Sequence, residues 1–320
     1  MKNQYKIPFP SDKIKMRKIY QSTDSRYTES EAIISPKVKE VYGDFSFPPF
    51  PDKRTYTLGS FVQSIDGKIA FPESPDGTLV AKGNRKDPDG ALADYWILNM
   101  LRSVCDAVLM GDTTIGKEPE LTGRIYDSEL ESARVDTGKP AVPLHVIASG
   151  NGSGFPINHM ITKNPDIPLL IVTTEEGKQY LSEKIGSDFI DLNNSKKISL
   201  TENLKGIVSM GSNGRINLSE LLTFLKPLGI DTILIESPTF LVSLMGEALL
   251  DELYLNTSSV FIGGKALSLG QKVESFTLDR HPHSRVISIH SHSDYFFYTR
   301  YSMEYEKSKG RKTVTELAQP

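Results

Sequence analysis

The sequence has very little cysteine: Cys105 is the single one among 320 residues. One cysteine excludes an intrachain disulfide framework and a zinc site built from several thiolates. An excess of one charge sign is also missing, since 37 basic and 40 acidic side chains leave a formal net charge of −3. This near balance of positive and negative charge argues against general attraction to nucleic acid or anionic lipid, because both bind clusters of positive charge.

Long apolar runs are absent as well. No stretch approaches the roughly 18–20 apolar residues that a membrane-spanning helix needs. The first residues are charged but no apolar segment follows them, so a secretory signal is not expected. The composition, with 38% apolar and 24% charged residues, is that of an ordinary globular protein. We therefore expect a soluble, cytoplasmic protein with neither a nucleic-acid nor a membrane partner.

Residues 1–53 differ in composition from the rest of the chain. They are rich in polar residues and end in the segment Phe45–Pro51, where three phenylalanines alternate with serine and prolines. Such a segment continues neither a helix nor a central strand. We expect an extended arm whose aromatic rings dock on a folded body; the alternative is a partly ordered extension without chemistry. A short helix is predicted from Ser35 to Tyr42, and residues 306–320 are predicted to be a charged tail.

From Arg54 onward, predicted strands alternate with predicted helices. Short apolar runs that stop at polar or glycine residues predict strands buried on both faces. The predicted strands are Thr55–Ser64, Ala107–Met110, Leu144–Ala148, Leu169–Thr173, Thr232–Ile235, Glu252–Phe261, Arg285–Ile289 and Tyr295–Tyr305. The predicted helices are Leu92–Ser103, Leu218–Leu228 and Phe240–Leu250. This pattern predicts one α/β domain over residues 54–305, with a mixed, mostly parallel sheet, helices on both faces and an antiparallel edge.

Four predicted strands end in segments rich in glycine, hydroxyl or acidic residues. These segments are Gln63–Lys68, Met110–Thr114, Ala148–Gly152 and Ile235–Thr239. Carboxyl ends of parallel strands share one rim of a sheet, where free backbone N–H groups and hydroxyls suit phosphate. Turns after strands need the same residue types for their own geometry. The rim is therefore a candidate ligand site, with ordinary turn chemistry as the alternative.

A series of short motifs also runs along the chain in a fixed order. The motifs are Ser64–x–Asp66–Gly67–Lys68–Ile69–Ala70, Leu101–Arg102, Asp106–Ala107–Val108–Leu109–x–Gly111–x–x–Thr114, Leu121–Thr122–Gly123–Arg124, His145–Val146–Ile147–Ala148–Ser149, Ile235–Glu236–x–Pro238–Thr239, Leu250–Asp251–Glu252–Leu253 and Phe261–Ile262–Gly263–Gly264. From about Thr55 to Tyr301, this series resembles the reductase domain of riboflavin biosynthesis, the RibD C-terminal type. The resemblance implies a dihydrofolate-reductase-like fold.

The resemblance further implies an NADPH-dependent oxidoreductase. Family members reduce the ribosyl group of 5-amino-6-(5-phosphoribosylamino)uracil to ribityl by hydride transfer to C1′. Contacts to NADPH are implied for Val62, Thr114, Ser149, Glu236, Pro238, Thr239, Phe240 and Leu241. Contacts to the small phosphorylated substrate are implied for Arg102, Leu121 and Arg124, and carboxylates at the reaction centre for Glu236 and Asp66. The zinc deaminase motifs of bifunctional relatives are missing from this sequence.

Several of these residues have simpler explanations. Arg102 would be a solvated charge on the polar side of its helix, Arg124 part of a mobile loop, and Asp66 a cap of its own turn. Thr114 would cap the segment that follows it. The histidine pairs at 281/283 and 290/292 have the spacing of metal ligands on a strand, but no carboxylate motif accompanies them. We expect surface histidines and no metal.

The sequence departs from the family pattern at four places, one of which is Gly116–Lys117–Glu118 in place of Leu–Ala–Asp. Ser237–Pro238 replaces paired glycines and is one residue shorter, Ser60 stands in place of a lysine, and Phe71–Asp89 aligns poorly with the substrate loop. Glycine lets the backbone approach a phosphate closely, so the loss of these paired glycines is expected to affect cofactor binding. Lys82, Arg85 and Lys86 offer charge to a phosphate there, or form a solvated loop. Two alternatives remain open: a same-fold reductase with another pyrimidine- or pteridine-like substrate, and a non-catalytic binding module.

The resemblance also implies a homodimer. The aromatic strand Tyr295–Tyr305 is predicted to lie at an exposed edge of the sheet. An exposed edge carries unpaired N–H and C=O groups, and a second subunit would cover them.

Overall fold

The alternating pattern forms one large sheet in a computed structural model, which describes residues 6–28, 35–74, 76–185, 189–194, 204–271 and 273–305. The predicted tail, residues 306–320, lies outside the described residues. The strands are β1 (Arg17–Gln21), β2 (Tyr56–Ser64), β3 (Ala107–Gly111), β4 (Leu144–Ala148), β5 (Leu169–Thr173), β6 (Ile190–Asp191), β7 (Lys205–Ser209), β8 (Thr232–Ile235), β9 (Glu252–Ser258), β10 (His283–Ser293) and β11 (Phe296–Glu304).

Helices connect most of the parallel strands. They are α1 (Ser11–Ile14), α2 (Ser25–Thr28), α3 (Pro36–Val41), α4 (Thr78–Lys82), α5 (Pro88–Val104), α6 (Asp112–Lys117), α7 (Ser128–Asp136), α8 (Met160–Lys163), α9 (Glu175–Ser182), α10 (Leu218–Leu225) and α11 (Pro238–Gly246). Local sequence explains several ends. Asp87 caps α5 by accepting from the Gly90 N–H, and Pro88 occupies its first turn. Gly229, with φ +82°, ends the turn that follows α10.

The sheet is parallel on one side and antiparallel on the other. Its strand order is β1-β10-β11-β9-β2-β8-β3-β4-β5-β7-β6. Strands from β9 through β2 to β6 are parallel, while β11, β10 and β1 continue the sheet in antiparallel pairs. The predicted fold class, a mostly parallel mixed sheet with an antiparallel side, is confirmed.

Alternate residues of the central strands enter two separate cores. In β3, Val108 and Met110 join the core beneath α5, whereas Ala107 and Leu109 join the core beneath α10 and α11. Successive side chains of a strand point to opposite faces, so strands that are apolar throughout require a helical layer on each face. The continuous apolar runs of the sequence therefore correctly predicted helices on both sides.

The predicted exposed edge is wrong. The aromatic strand β11 lies inside the sheet, between β10 and β9. The edge strand on this side is β1, which comes from the N-terminal arm and pairs with β10. Sequence reasoning missed β1 because most of its residues are polar and it has no continuous apolar run. The expected dimer loses this support and stays a prediction.

The N-terminal arm is not extended throughout, since it carries β1 and three short helices. The predicted helix near Ser35 is confirmed as α3, and Ser35 caps it. Docking of the aromatic segment is also confirmed: Phe45 and Phe47 are buried, and their rings pack 5.2 Å apart in an edge-on arrangement. The arm therefore shares the core of the sheet.

Candidate active site

A cavity of about 1060 Å³ opens at the carboxyl ends of β2, β3, β4 and β8. Helix α5, the first turns of α6 and α11, residues 117–121 and residues 267–271 form its walls. The arm reaches it too, because Ile7 lines the cavity and its N–H donates to the Tyr126 carbonyl at 3.0 Å. Three of the four segments predicted to form the rim contribute residues to this cavity, whereas Gln63–Lys68 does not.

Eight of the predicted site residues line this cavity. They are Val62, Arg102, Thr114, Leu121, Glu236, Pro238, Thr239 and Phe240. They come from five separate segments of the chain, and the sheet brings them together because the parallel strands end on the same side. The roles implied for them remain predictions, but their common location is established.

The other four predicted residues lie outside the cavity lining. Leu241 is fully buried in the core, where it packs against Gly59. Ser149 is buried behind the rim and donates to Asp112 Oδ2 at 2.5 Å. The Arg124 carbonyl accepts from Arg102 Nη1 at 3.2 Å. These three residues lie behind the wall, and the ligand contacts implied for them stay predictions.

Asp66, the fourth, fastens two loops to each other. Its carboxylate accepts from Ser64 Oγ at 2.7 Å and from the N–H groups of Ile262 and Gly263 at 3.1 and 2.7 Å. The Ser64 hydrogen bond, followed by these backbone donors, lowers the pKa of Asp66 to about 2. The structure thus places Asp66 as a link between its own turn and the loop at Ile262–Gly263, outside the cavity lining.

Arg102 and Glu236 form a buried ion pair at the cavity wall. Arg102 Nε donates to Glu236 Oε1 at 2.7 Å and Nη2 to Oε2 at 2.6 Å, which is the two-pronged geometry of a strong pair. The Arg102 side chain is 1% exposed, so the expectation of a solvated charge is wrong. Burial lowers the pKa of Arg102, but the Glu236 carboxylate raises it further, and the net shift is upward. Arg102 therefore orients Glu236 within the cavity.

His145 holds the segment Leu121–Arg124 against the sheet. Its Nε2 accepts from the Gly123 N–H at 2.8 Å, while Nδ1 lies 2.9 Å from the Pro143 carbonyl. These partners require a neutral ring that is protonated on Nδ1. Burial, only partly offset by the Pro143 contact, lowers the pKa of His145 to about 3. A buried neutral histidine thus positions a cavity wall.

We expect acid to weaken the protein through this group. The unfolded state binds a proton near pH 6.5 and the folded state only near pH 3, so stability is lost as pH falls below about 6.5. The loss from this one group approaches ~1.4 kcal/mol per pH unit. Urea unfolding between pH 7 and 4 measures it, with His145→Gln as a variant that cannot titrate. Equal pH slopes for both proteins would contradict the expectation.

The rim offers the donors that a dinucleotide phosphate needs. Thr113, Thr114 and Thr239 line the cavity, and α11 begins there with Pro238, so the N–H groups of its first turn face the rim region. Gly111 also lines the cavity, and a Cβ at this position would lie 3.2 Å from Ser237 Oγ, so the glycine makes room for that side chain. Hydroxyls and N–H groups fit a pyrophosphate. The lost glycines after Glu236 have not closed the cavity.

Sequence reasoning missed two polar residues of α5 at the cavity. Asp94 lines it, and burial raises the pKa of its carboxyl to about 7, with a smaller opposing effect from Asn256. Tyr95 also lines it, and its ring packs 6.0 Å from that of Tyr126. The sequence around a single aspartate in an amphipathic helix does not indicate whether it lies at a functional site. Asp94 is recognised only from its contact with Asn256, which is distant in the sequence.

Basic side chains reach the cavity from two segments. Lys82 at the end of α4 and Lys117 at the end of α6 line it, whereas Arg85 and Lys86 do not. The poorly aligned segment Phe71–Asp89 therefore contributes one basic side chain, Lys82, and one acidic side chain, Asp76, to the lining.

Two of the paired histidines, His290 and His292, contact other side chains of the protein. Within the described ranges, no group of three or more metal-ligating side chains occurs. His290 is buried and stacks on Tyr42 at 4.0 Å, and His292 contacts Asp87 at 3.0 Å. The expectation that these are surface histidines is wrong for His290. Among the helices of the described segments, none has both the length and the apolar character needed to cross a bilayer.

Known proteins share this fold. A pyrimidine reductase-like protein from Corynebacterium diphtheriae has a TM-score of 0.59 at 18% identity, covering 84% of this chain and 98% of that one. RibD of Acinetobacter baumannii has a TM-score of 0.53 at 16% identity, covering 79% of this chain and 59% of that one. At such identities the likeness establishes the dihydrofolate-reductase-like fold.

Sequence comparison is more specific. The chain is 25% identical over 214 residues to the 2,5-diamino-6-ribosylamino-4(3H)-pyrimidinone 5′-phosphate reductase of Archaeoglobus fulgidus, covering 66% of this chain and 84% of that protein. The family of the RibD C-terminal domain matches residues 55–288. This range covers strands β2 to β9 and the first part of β10, and it leaves out β1 and β11. The chain therefore belongs to the RibD C-terminal domain family, a family of reductases.

Proposed function

We propose that this protein is an NADPH-dependent reductase of a phosphoribosylaminopyrimidine, which converts the ribosyl group to ribityl by hydride transfer to C1′. One observation carries the proposal: a single cavity of about 1060 Å³ is lined by eight residues at family-matched positions. Ligand pockets typically measure about 300–1,000 Å³. The cavity is thus large enough for a dinucleotide beside a small substrate.

NADPH, when bound, supplies the hydride. The chain's own residues bind and orient the cofactor and the substrate, and they exclude water. Thr114, Thr239 and the first turn of α11 hold the phosphates at the rim. Glu236, held by Arg102, presents carboxylate oxygens that accept from a ribose hydroxyl. Apolar side chains such as Leu121 and Phe240 exclude water from the reacting carbon. Lys82 and Lys117 supply charge for the substrate phosphate.

Titration of nicotinamide fluorescence tests cofactor binding directly. We expect saturable binding of NADPH, and Thr114→Val is expected to raise the dissociation constant about 10-fold through loss of a charged hydrogen bond. Thr223→Val on the exposed face of α10 is the matched control and is expected to leave the dissociation constant unchanged. Absence of NADPH binding at near-millimolar concentration would contradict the proposal and favour the non-catalytic binding module.

A same-fold reductase with another substrate is the second candidate. The observation in its favour is Ser60, which lines the cavity where the family pattern has a lysine. If a pteridine oxidises NADPH and a phosphoribosylaminopyrimidine does not, the result favours this second candidate.

A further inference from the structure

One wall of the cavity comes from the N-terminal arm, which lies outside the range 55–288 that the family matches. Residues 6–9, which we call the strap, pass along this wall. Ile7 lines the cavity, and its side chain is half-buried. The proposed function gives the strap no role, and the family pattern did not predict it.

The strap is fastened on both sides of Ile7. Before it, Lys6 Nζ donates to the Ile125 carbonyl at 2.9 Å. After it, Phe9 is buried, and its ring centroid lies 6.0 Å from that of Tyr95. Residues near a chain terminus are loosely held unless such contacts tie them down. The contacts therefore hold Ile7 in a defined place at the cavity.

Ile7 lies next to the segments for which the resemblance implies substrate contacts. Its N–H donates to the carbonyl of Tyr126, whose own N–H donates to Asn99 Oδ1 on α5 at 2.6 Å. Arg102, one helical turn further along α5, donates to the Arg124 carbonyl. The residues implied for the cofactor phosphates belong instead to α6 and α11. The strap is thus joined to the substrate end of the cavity.

Resting on the function proposed above, we infer that Ile7 contacts the bound substrate, and that the strap is a specificity-determining wall for the substrate rather than for NADPH. Tyr95, Leu98, Leu121 and Tyr126 also line this end of the cavity, so the wall is apolar and aromatic. Unlike Phe9, Ile7 keeps part of its surface accessible. Covering that surface with a ligand removes it from water and favours binding.

Substitution Ile7→Ala tests the assignment, because it removes most of the side chain and keeps the backbone hydrogen bond to Tyr126. With 2,5-diamino-6-ribosylamino-4(3H)-pyrimidinone 5′-phosphate and saturating NADPH, we expect KM to rise about 10-fold, as for the loss of roughly two buried methylene groups. The dissociation constant of NADPH is expected to change less than about twofold, since the phosphate rim is a separate part of the cavity.

Ile19→Ala makes the same change in the same arm and is the matched control. Ile19 lies on β1, is exposed and does not line the cavity, so both constants are expected to stay unchanged. Thermal melting confirms that each variant is folded. An unchanged KM of Ile7→Ala, or equal changes in KM and in the dissociation constant of NADPH, would overturn the inference.

A second measurement is independent of hydride transfer. Cys105, the single cysteine of the sequence, is buried, so Ile7→Cys adds a thiol that a reagent can label selectively. The same pyrimidine phosphate is expected to slow labelling by N-ethylmaleimide at least about 10-fold, because a pocket covers most of the surface of its ligand. NADPH alone is expected to slow it less than about twofold, and neither compound to slow labelling of Ile19→Cys.

The labelling experiment separates this inference from the proposed function. Slowed labelling of Ile7→Cys by the pyrimidine phosphate, without oxidation of NADPH, supports the inference and contradicts the reductase. Normal oxidation of NADPH with labelling that is not slowed, or that is slowed equally in Ile19→Cys, overturns the inference and leaves the reductase intact. Neither protection nor oxidation would overturn both.

Discussion

Replacing Glu236 by alanine is expected to lower the free energy of unfolding by about 3–5 kcal/mol and kcat/KM of the proposed reduction by at least about 100-fold. The Arg102 guanidinium, 1% exposed, loses two charge-assisted hydrogen bonds of 2.7 and 2.6 Å. The cost arises mainly from the buried cation that is left unpaired, and the activity falls because the cavity loses its oriented carboxylate. Urea unfolding and NADPH oxidation measure the two effects.

Two further variants separate stability from chemistry. Glu236→Gln keeps the shape and is expected to lose less stability than alanine. The double variant Arg102→Met, Glu236→Met removes both charges and is expected to recover most of the stability while remaining inactive, because apolar residues often replace a buried pair at no cost. Wild-type stability of Glu236→Ala would show that solvent reaches Arg102 and would contradict the structure.

Replacing Glu252 by alanine is expected to cost a similar ~3–5 kcal/mol and to release the N-terminal arm. Glu252 and Arg300 are 0% and 4% exposed and pair at 2.8 Å. The same guanidinium donates to the Ser46 carbonyl of the arm at 2.9 Å and lies 4.7 and 5.8 Å from the rings of Phe45 and Phe47. Urea unfolding measures the loss, and limited proteolysis reports whether the aromatic segment has detached.

An exposed pair on the same sheet provides the control. Arg285 on β10 contacts Asp24 of the arm at 2.6 Å, but its side chain is 41% exposed. Solvent screens such a pair, so Arg285→Ala is expected to change stability by less than about 1 kcal/mol. Equal effects of Glu252→Ala and Arg285→Ala would show that burial does not determine the strength of the arm's attachment.

The central strands were the easiest elements to predict. β4, β5 and β8 begin and end at the predicted residues, since runs of β-branched and aliphatic side chains bounded by polar residues are specific for buried strands. The missed strands β1, β6 and β7 lack this composition: β1 is mostly polar, β6 has two residues, and β7 contains a glycine and a lysine. Their places in the sheet come from backbone pairing with β10, β7 and β5, which leaves no pattern in the local sequence.

The candidate site was also predicted only in part. Its location at the strand ends followed from the parallel pattern, and eight of the predicted residues line the cavity. The ion pair between Arg102 and Glu236 joins residues 134 positions apart, and the contact between Asp94 and Asn256 joins residues 162 positions apart. The spacing of apolar residues that predicts α5 does not identify Glu236 or Asn256 as partners, because both contacts depend on how α5 crosses the sheet.

Composition and the spacing of apolar residues were thus sufficient to predict the fold class, the helices on both faces and the side of the sheet that carries the cavity. Each of these features depends on residues that are close together in the chain. Tertiary structure alone decided which strand lies at the edge, which carboxylates face the cavity and which serve as caps. Those outcomes depend on burial and on partners brought together from distant segments. A carboxyl group such as Asp66 or Asp94 acquires its hydrogen bonds and its pKa only when those segments meet.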